Sequence, residues 1–285
     1  MQFEQILEGF VFLEAPRVDD DDNLYFSEIM EGGVHRLSPA GKLDSYVTDR
    51  KSIGGLVLTE DGGFICSGGV GLEYFNPGSG ERRSLDFTWN GQGLGPLNDI
   101  QPDEHGSIFA GGTDFPSIQS GQRPNPSKLY RIDPPGTVTV LQEGIIVSNG
   151  IGFSPDRKRF YYAESRDGVC VYDFAPDRTI SNRRVLAELR GVDGLAVDAE
   201  EGIWVAGYNS GDVIRYLPDG RIDRRYDFTQ KFEGCLVTSL VFGGKDLRDL
   251  YVVTAGDYRK PLSRNGRIYR ARCDVPGQKT PKVRF

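Results

Sequence analysis

One pattern recurs six times along the chain. The copies read "NLYFSEIMEGGVHRLSPAGKL", "GGFICSGGVGLEYFNPGSGER", "GSIFAGGTDFP…SKLYRIDPPGTV", "KRFYYAESRDGVCVYDFAPDRTI", "GIWVAGYNSGDVIRYLPDGRI" and "DLYVVTAGDY…GRIYRARCDVPG". Each is an apolar strand, a loop, an alternating strand and a Pro/Asp/Gly turn, usually followed by another strand. Just upstream of each lies a further short strand, beginning at Glu14, Gly54, Asn98, Asn149, Asp193 and Thr238, at intervals of 40 to 51 residues. Four strands in a period of that length mark a β-propeller blade. The expectation is an all-β, six-bladed propeller of four-stranded antiparallel blades around a central channel, forming one domain over residues 1–285. A solenoid of the same period would usually carry helices, and no long segment here has a helical period. A propeller also needs a partner for the open edge of its last blade. "FEQILE" near the start and "KVRF" at the end are the two candidates, and the N-terminal one is preferred.

Composition agrees with this and excludes several functions. The 37 glycines and 11% aromatic residues suit short strands joined by tight turns. A net charge of −7 argues against a nucleic-acid partner. No apolar run reaches the roughly 18 to 20 residues of a membrane helix. The first residues lack a basic stretch followed by an apolar core, so the expected location is cytoplasmic. The run Asp19–Asp22 reads as a solvated turn; it lacks the alternating ligands and central glycine of a calcium loop. Cys66, Cys170, Cys235 and Cys273 form no C-x-x-C pair and are expected to be buried thiols. With only His35 and His105, a three-histidine zinc site is impossible, and neither histidine is expected to be catalytic.

In a propeller the first strand of each blade lines the channel, so residues at equivalent starts form a ring at one mouth. The ring expected here is Glu14, Gly54, Asn98, Asn149, Asp193 and Thr238. Singly, "LND", "SNG" and "VDG" are ordinary turn signals. Their shared phase in the repeat points elsewhere. Inward carboxylates and amides with no Lys or Arg among them are costly unless something satisfies them, and a divalent cation does. Glu14 and Asp193 supply two negative charges, and Asn149 with Asn98 supplies amide oxygens. That hard-oxygen chemistry suits Ca²⁺, with Mg²⁺ or Mn²⁺ as substitutes and Zn²⁺ as a poorer one.

At these residues the chain resembles the family of senescence marker protein, regucalcin and gluconolactonase. The matching stretches are "LEAPRVDDDDNLYFSEI", "PLNDIQPDEHGSIFAGG", "SNGIGFSPDRKRFYYAES", "GVDGLAVDAEEGIWVA" and "SLVFGGKDLRDLYVVTA", in order from about Leu7 to Ala255. The resemblance implies a six-bladed propeller with a divalent metal in its channel and lactone hydrolysis as a common activity. It implies Glu14, Asn149 and Asp193 as metal ligands and Asn98, followed by Asp99, beside the metal holding substrate or a water. It also implies Asp193 as general base. One departure stands out. Sugar-lactonase members resemble R-x-N-D before this strand, whereas here Pro96 stands in the arginine's place. The expected substrate is therefore a less polar lactone or ester.

Chain direction places the long loops at the mouth where the ring lies: residues 113–127, 256–265 and the connection 87–96. Phe12, Trp89, Phe115, Tyr208 and Tyr258 are the candidate substrate wall. The Pro and Gly content of the 113–127 loop predicts an extended lid more than a helix. Besides a lactonase acting on a small molecule, three alternatives remain. One is a phosphotriesterase- or fluorophosphatase-like hydrolase. Another is a metal-dependent hydratase, isomerase or lyase. The third is a non-enzymatic calcium-binding or interaction propeller.

Overall fold

The computed structural model describes residues 1–257 and 264–285. It is almost entirely β, with six four-stranded antiparallel sheets. The innermost strands, in chain order, are Leu13–Val18, Leu56–Leu58, Leu97–Pro102, Ser148–Phe153, Val192–Val197 and Leu236–Gly243. In each blade from one to five, three more strands follow outward in sequence order. The last blade is completed differently. Its outer strand is the N-terminal segment Glu4–Phe10, which pairs antiparallel with Gly266–Arg272. The last blade is thus closed by the N-terminal strand, and "KVRF" is not its fourth strand.

Six apolar clusters hold the ring together, one between each pair of neighbouring blades. Trp204 and Val213 of blade five meet Leu240, Val252 and Tyr269 of blade six. Phe109 and Leu129 of blade three meet Phe160 and Tyr172 of blade four. The outer strands are mostly exposed; Ile180–Ala187, for example, has no fully buried residue. The stabilising area is therefore between blades, where both faces of each inner sheet are covered.

The inner strands share one irregularity that positions the site. In blade three Leu97 pairs with Gly112 but Ile100 pairs with Ala110, so the inner strand carries one extra residue. The same slip occurs at Ser148/Ile151, Val192/Leu195, Glu14/Arg17 and Val237/Ser239. Such a bulge re-aims side chains and tightens the local twist. In blade one it lets Ala15 adopt a φ of 51°, in the left-handed region. Close approach is the reason for glycine at the matching position of neighbouring blades. A Cβ on Gly150 would stand 2.2 Å from the Leu195 nitrogen, and one on Gly194 2.2 Å from Ser239 Oγ.

The chain's last ten residues cross the end of the channel opposite the ring. Gly277 bridges to Asp198 of blade five, and Val283 bridges in parallel to Thr59 of blade two. Gln278 Nε2 donates to the Phe153 carbonyl of blade four at 2.9 Å. Lys279 and Lys282 reach Asp20 of blade one at 2.6 and 2.7 Å. The acidic turn at Asp19–Asp22, expected to be merely solvated, thus anchors the tail. A cavity of about 50 Å³ remains between tail and channel, lined in part by Arg17, Gln101 and Gln278. Among the described residues no helix is long and apolar enough to cross a membrane. All four cysteines are buried and unpaired with one another.

Candidate functional site

The repeat phase carries through to three dimensions. Glu14, Asn98, Asn149, Asp193 and Thr238 all sit near the starts of inner strands, and Gly54 lies two residues before the strand Leu56–Leu58. Their side chains lean on neighbours around the ring. Asn98 Nδ2 donates to Asn149 Oδ1 at 2.7 Å and to the Ser148 carbonyl at 2.7 Å. Asn149 Nδ2 donates to Ser165 Oγ at 2.6 Å and to the Val192 carbonyl at 2.9 Å. Both amide protons of Asn149 are therefore committed to the scaffold, which turns its oxygen towards Asn98 and the channel. Gly54 is required by the same packing: a Cβ there would stand 2.0 Å from Asn98 Oδ1. Thr238 serves the backbone, its hydroxyl donating to the Leu13 carbonyl at 2.6 Å.

The carboxylates have a different environment. Glu14, Asp99 and Asp193 are all at least nine-tenths buried. Burial pushes Glu14 well above the usual carboxylate range, and the charges of Asp193 and Asp99 push it further. Asp193 is raised well above that range by burial and then by Asp99. Asp99 is pushed up to about 6 by burial, with Arg17 opposing. Glu14 accepts one hydrogen bond, from the Ala15 nitrogen at 2.9 Å. Asp193 accepts none from the protein among the described residues. Glu14 is thus raised by both neighbouring acids and Asp193 by one of them, with few protein donors to offset it; such clusters are candidates for a functional site.

Whether these residues suit a metal follows from the donor set. Among the described residues no three His, Cys, Asp or Glu side chains are grouped as a metal site by themselves. The channel set is mixed: carboxylates from blades one and five, and an amide oxygen whose own protons are satisfied elsewhere. Hard oxygen donors of this kind fit Ca²⁺ or Mg²⁺ and leave positions open for water or substrate. His35 and His105 lie elsewhere, His35 on the third strand of blade one against Phe26 and His105 in a turn at the tail end.

The candidate wall is only partly brought together. Phe12 and Tyr208 stack at the mouth, ring centroids 6.0 Å apart. Trp89 lies in a small ribbon, Thr88–Trp89 paired with Gln92–Gly93, and its ring covers Lys128 of blade three at 4.8 Å. Phe115 begins a short helix, Phe115–Gln119. The loop expected to be an extended lid thus opens on a helical turn. Asp114 caps the helix, accepting from the Ser117 nitrogen at 3.3 Å, and Pro116 falls in the first turn, where its missing N–H costs nothing. Tyr258 lies outside the described residues. Pro96, in place of an arginine, offers the rim no donor; its carbonyl accepts from the Thr113 nitrogen at 3.1 Å. Arg17 is the residue that sequence reasoning missed. Its signal was a second charge in the short stretch "LEAPRV", three residues after Glu14.

Residues 12–256 match the sequence profile described as the SMP-30/gluconolactonase/LRE-like region. The chain belongs to this family. It is 34% identical to the pentonolactonase XacC of Haloferax volcanii over 83% of this chain and 79% of that one. It is 31% identical to a 6-deoxy-6-sulfogluconolactonase of Pseudomonas putida, over 90% of this chain and 89% of that one. Among solved structures, a calcium-binding protein, regucalcin, from Agrobacterium tumefaciens shares the fold. Its TM-score is 0.81, with 22% identity, over 99% of this chain and 97% of that one. For this family member, the propeller expected from the repeat is the observed fold.

Proposed function

We propose that this protein is a divalent-metal-dependent hydrolase that opens lactones. The observation that carries the reading is the trio of buried carboxylates at one channel mouth, beside an amide oxygen, with the Ala15 nitrogen as the one protein donor they meet among the described residues. Two lactonases among its relatives and a structural neighbour named as calcium-binding support the same assignment. Glu14, Asn149 and Asp193 would hold the ion, with Ca²⁺ the best match to their chemistry. A bound divalent cation supplies the Lewis acidity that polarises a lactone carbonyl and stabilises the developing oxyanion.

The chain's own residues do the rest. Asp193 takes a proton from the water that adds to the carbonyl carbon, and the ring C–O bond breaks with the proton passed to the departing oxygen. Asn98, its two amide protons held by the Ser148 carbonyl and Asn149 Oδ1, is a positioning residue that fixes the Asn149 oxygen beside the reacting group. Asp99 stands beside it as a second acceptor for a substrate hydroxyl. Phe12 and Tyr208 exclude water on one side of the mouth.

The substrate we infer is a small to medium, relatively apolar lactone, because Pro96 removes the rim donor that a polyhydroxylated ring would use. Sugar-acid lactones are the second reading, favoured by the names of the two relatives. The test is turnover of a panel containing alkyl-substituted and sugar-acid lactones, with and without chelator. Chelator-sensitive hydrolysis is expected in the wild-type protein and its loss in Asp193→Asn and Asp193→Ala. Turnover surviving in both variants, or no lactone or ester hydrolysis by the metal-loaded protein, would contradict the reading.

A further inference from the structure

Arg17 differs from every other buried arginine in the described molecule. Arg50 lies 3.5 Å from Glu73, and Arg215 lies 2.7 Å from Asp198 and from Asp223. Arg17, only 7% exposed, contacts no carboxylate within ion-pair distance among the described residues. It is held instead by neutral oxygens. Its Nη1 donates to the Pro16 carbonyl at 2.8 Å, and its Nη2 to the Ile100 carbonyl at 2.8 Å and Gln101 Oε1 at 3.2 Å. Its Nε has no partner. The side chain therefore runs from blade one to blade three, passing the intervening blade on the channel side.

The bulge between Glu14 and Arg17 explains how it gets there. Residues three apart on a regular strand face opposite sides. The extra residue cancels that alternation and turns both side chains to the channel. Arg17 lies one step deeper than the ring, tied to the residue that follows Asp99. Its charge acts on Glu14 and Asp99 without occupying either.

Three carboxylates and one guanidinium give the mouth a fixed net charge of −2 when its acids are ionised, Glu14, Asp99 and Asp193 against Arg17. That balances one divalent ion. We propose that Arg17 is the counter-charge that makes this mouth select divalent over trivalent cations, a positioning residue that acts through the field rather than by touching the ion. The proposal rests on the metal reading above. A unit charge nearby discriminates between ions in proportion to their charge, so its removal favours the trivalent ion more. Holding Arg17 on neutral carbonyls, rather than in a direct pair with one acid, leaves the carboxylate oxygens free to coordinate.

The test uses the chelator-stripped protein, titrated with Ca²⁺ by calorimetry and with terbium(III) by its luminescence. In Arg17→Met the preference for terbium over Ca²⁺ is expected to rise about tenfold or more. Arg17→Lys, which keeps the charge, should stay near the wild-type ratio. Asp99→Asn, which removes a negative charge, should move the ratio the other way, and it carries the test if Arg17→Met fails to fold. An unchanged ratio in a folded Arg17→Met, or in Asp99→Asn, overturns this proposal and leaves the metal reading standing. Failure of the wild-type protein to bind either ion overturns both.

Discussion

Asp193 and Asp198 stand near the two ends of the same strand of blade five, and both are buried. Asp198, at the tail end, accepts from the Glu200 and Gly202 nitrogens, from Trp204 Nε1 and from Arg215 Nε, all within 2.9 Å. Asp193, five residues earlier, accepts from no protein group among the described residues. The chain can satisfy a buried aspartate fully where only architecture is needed. That it leaves the other one bare, beside Glu14 and Asp99, points to a ligand as the missing partner. Hydrogen-bonded structure is concentrated at one end of the strand, and the proposed chemistry lies at the other.

The largest way to break this contrast is the same substitution at both ends. Asp198→Asn leaves Arg215 with one fewer charge to face and disrupts a buried pair, at an expected cost of about 3–5 kcal/mol in urea unfolding. A cost near zero would mean that the tail end is not held by that network. Next in size is the ion itself. At a concentration 100-fold above its Kd, Ca²⁺ should stabilise the wild-type protein by about 2.7 kcal/mol, read as a rise in Tm over the chelated protein. The shift should fall to about 0.4 kcal/mol or less in Asp193→Asn. In chelated protein, Asp193→Asn should itself raise stability by about 1 kcal/mol, because a buried charge without a partner is removed. A loss instead would show an unrecognised structural duty for Asp193.

The smallest effect belongs to the tail. Lys279 and Lys282 hold Asp20 down to about 2, through their hydrogen bonds to its carboxylate. Its folded pKa is below the unfolded value of about 3.9, so the contribution is present above that pH and fades as pH falls towards 2. The pair is largely solvated, so Asp20→Asn should cost only about 0.5 kcal/mol at neutral pH. Differential scanning at pH 7 and pH 2.5 checks both size and sign; a larger cost at the lower pH would refute it.

The fold and the ring phase were legible because a propeller writes its period into the sequence. Glu14, Asn98, Asn149 and Asp193 share a position in the repeat; the structure sets Asn98 against Asn149, and the charge of Asp193 raises the pKa of Glu14. What was not legible depends on the bulges. Nothing in "EAPRV" announces that Ala15 takes a positive φ, so the inward turn of Arg17 was hidden. The tail was hidden for another reason. It has little strand pattern of its own and finds its place through contacts with blades one, two, four and five, among others. Phe12 and Tyr208 are about two hundred residues apart, and no local rule pairs them. The helix at Phe115–Gln119 is a single capped turn, too short to show a period.

The central claim is that the bare carboxylates of one mouth hold a divalent ion. Calorimetric titration of chelator-stripped protein with Ca²⁺ tests it most directly, comparing wild type with Glu14→Gln, Asp193→Asn and Asp198→Asn. One ion per chain is predicted for the wild type and for Asp198→Asn under conditions where it stays folded. Affinity should fall about 100-fold or more in the two mouth variants. A wild-type protein that takes up no ion, or mouth variants that bind as tightly as wild type, would contradict the account.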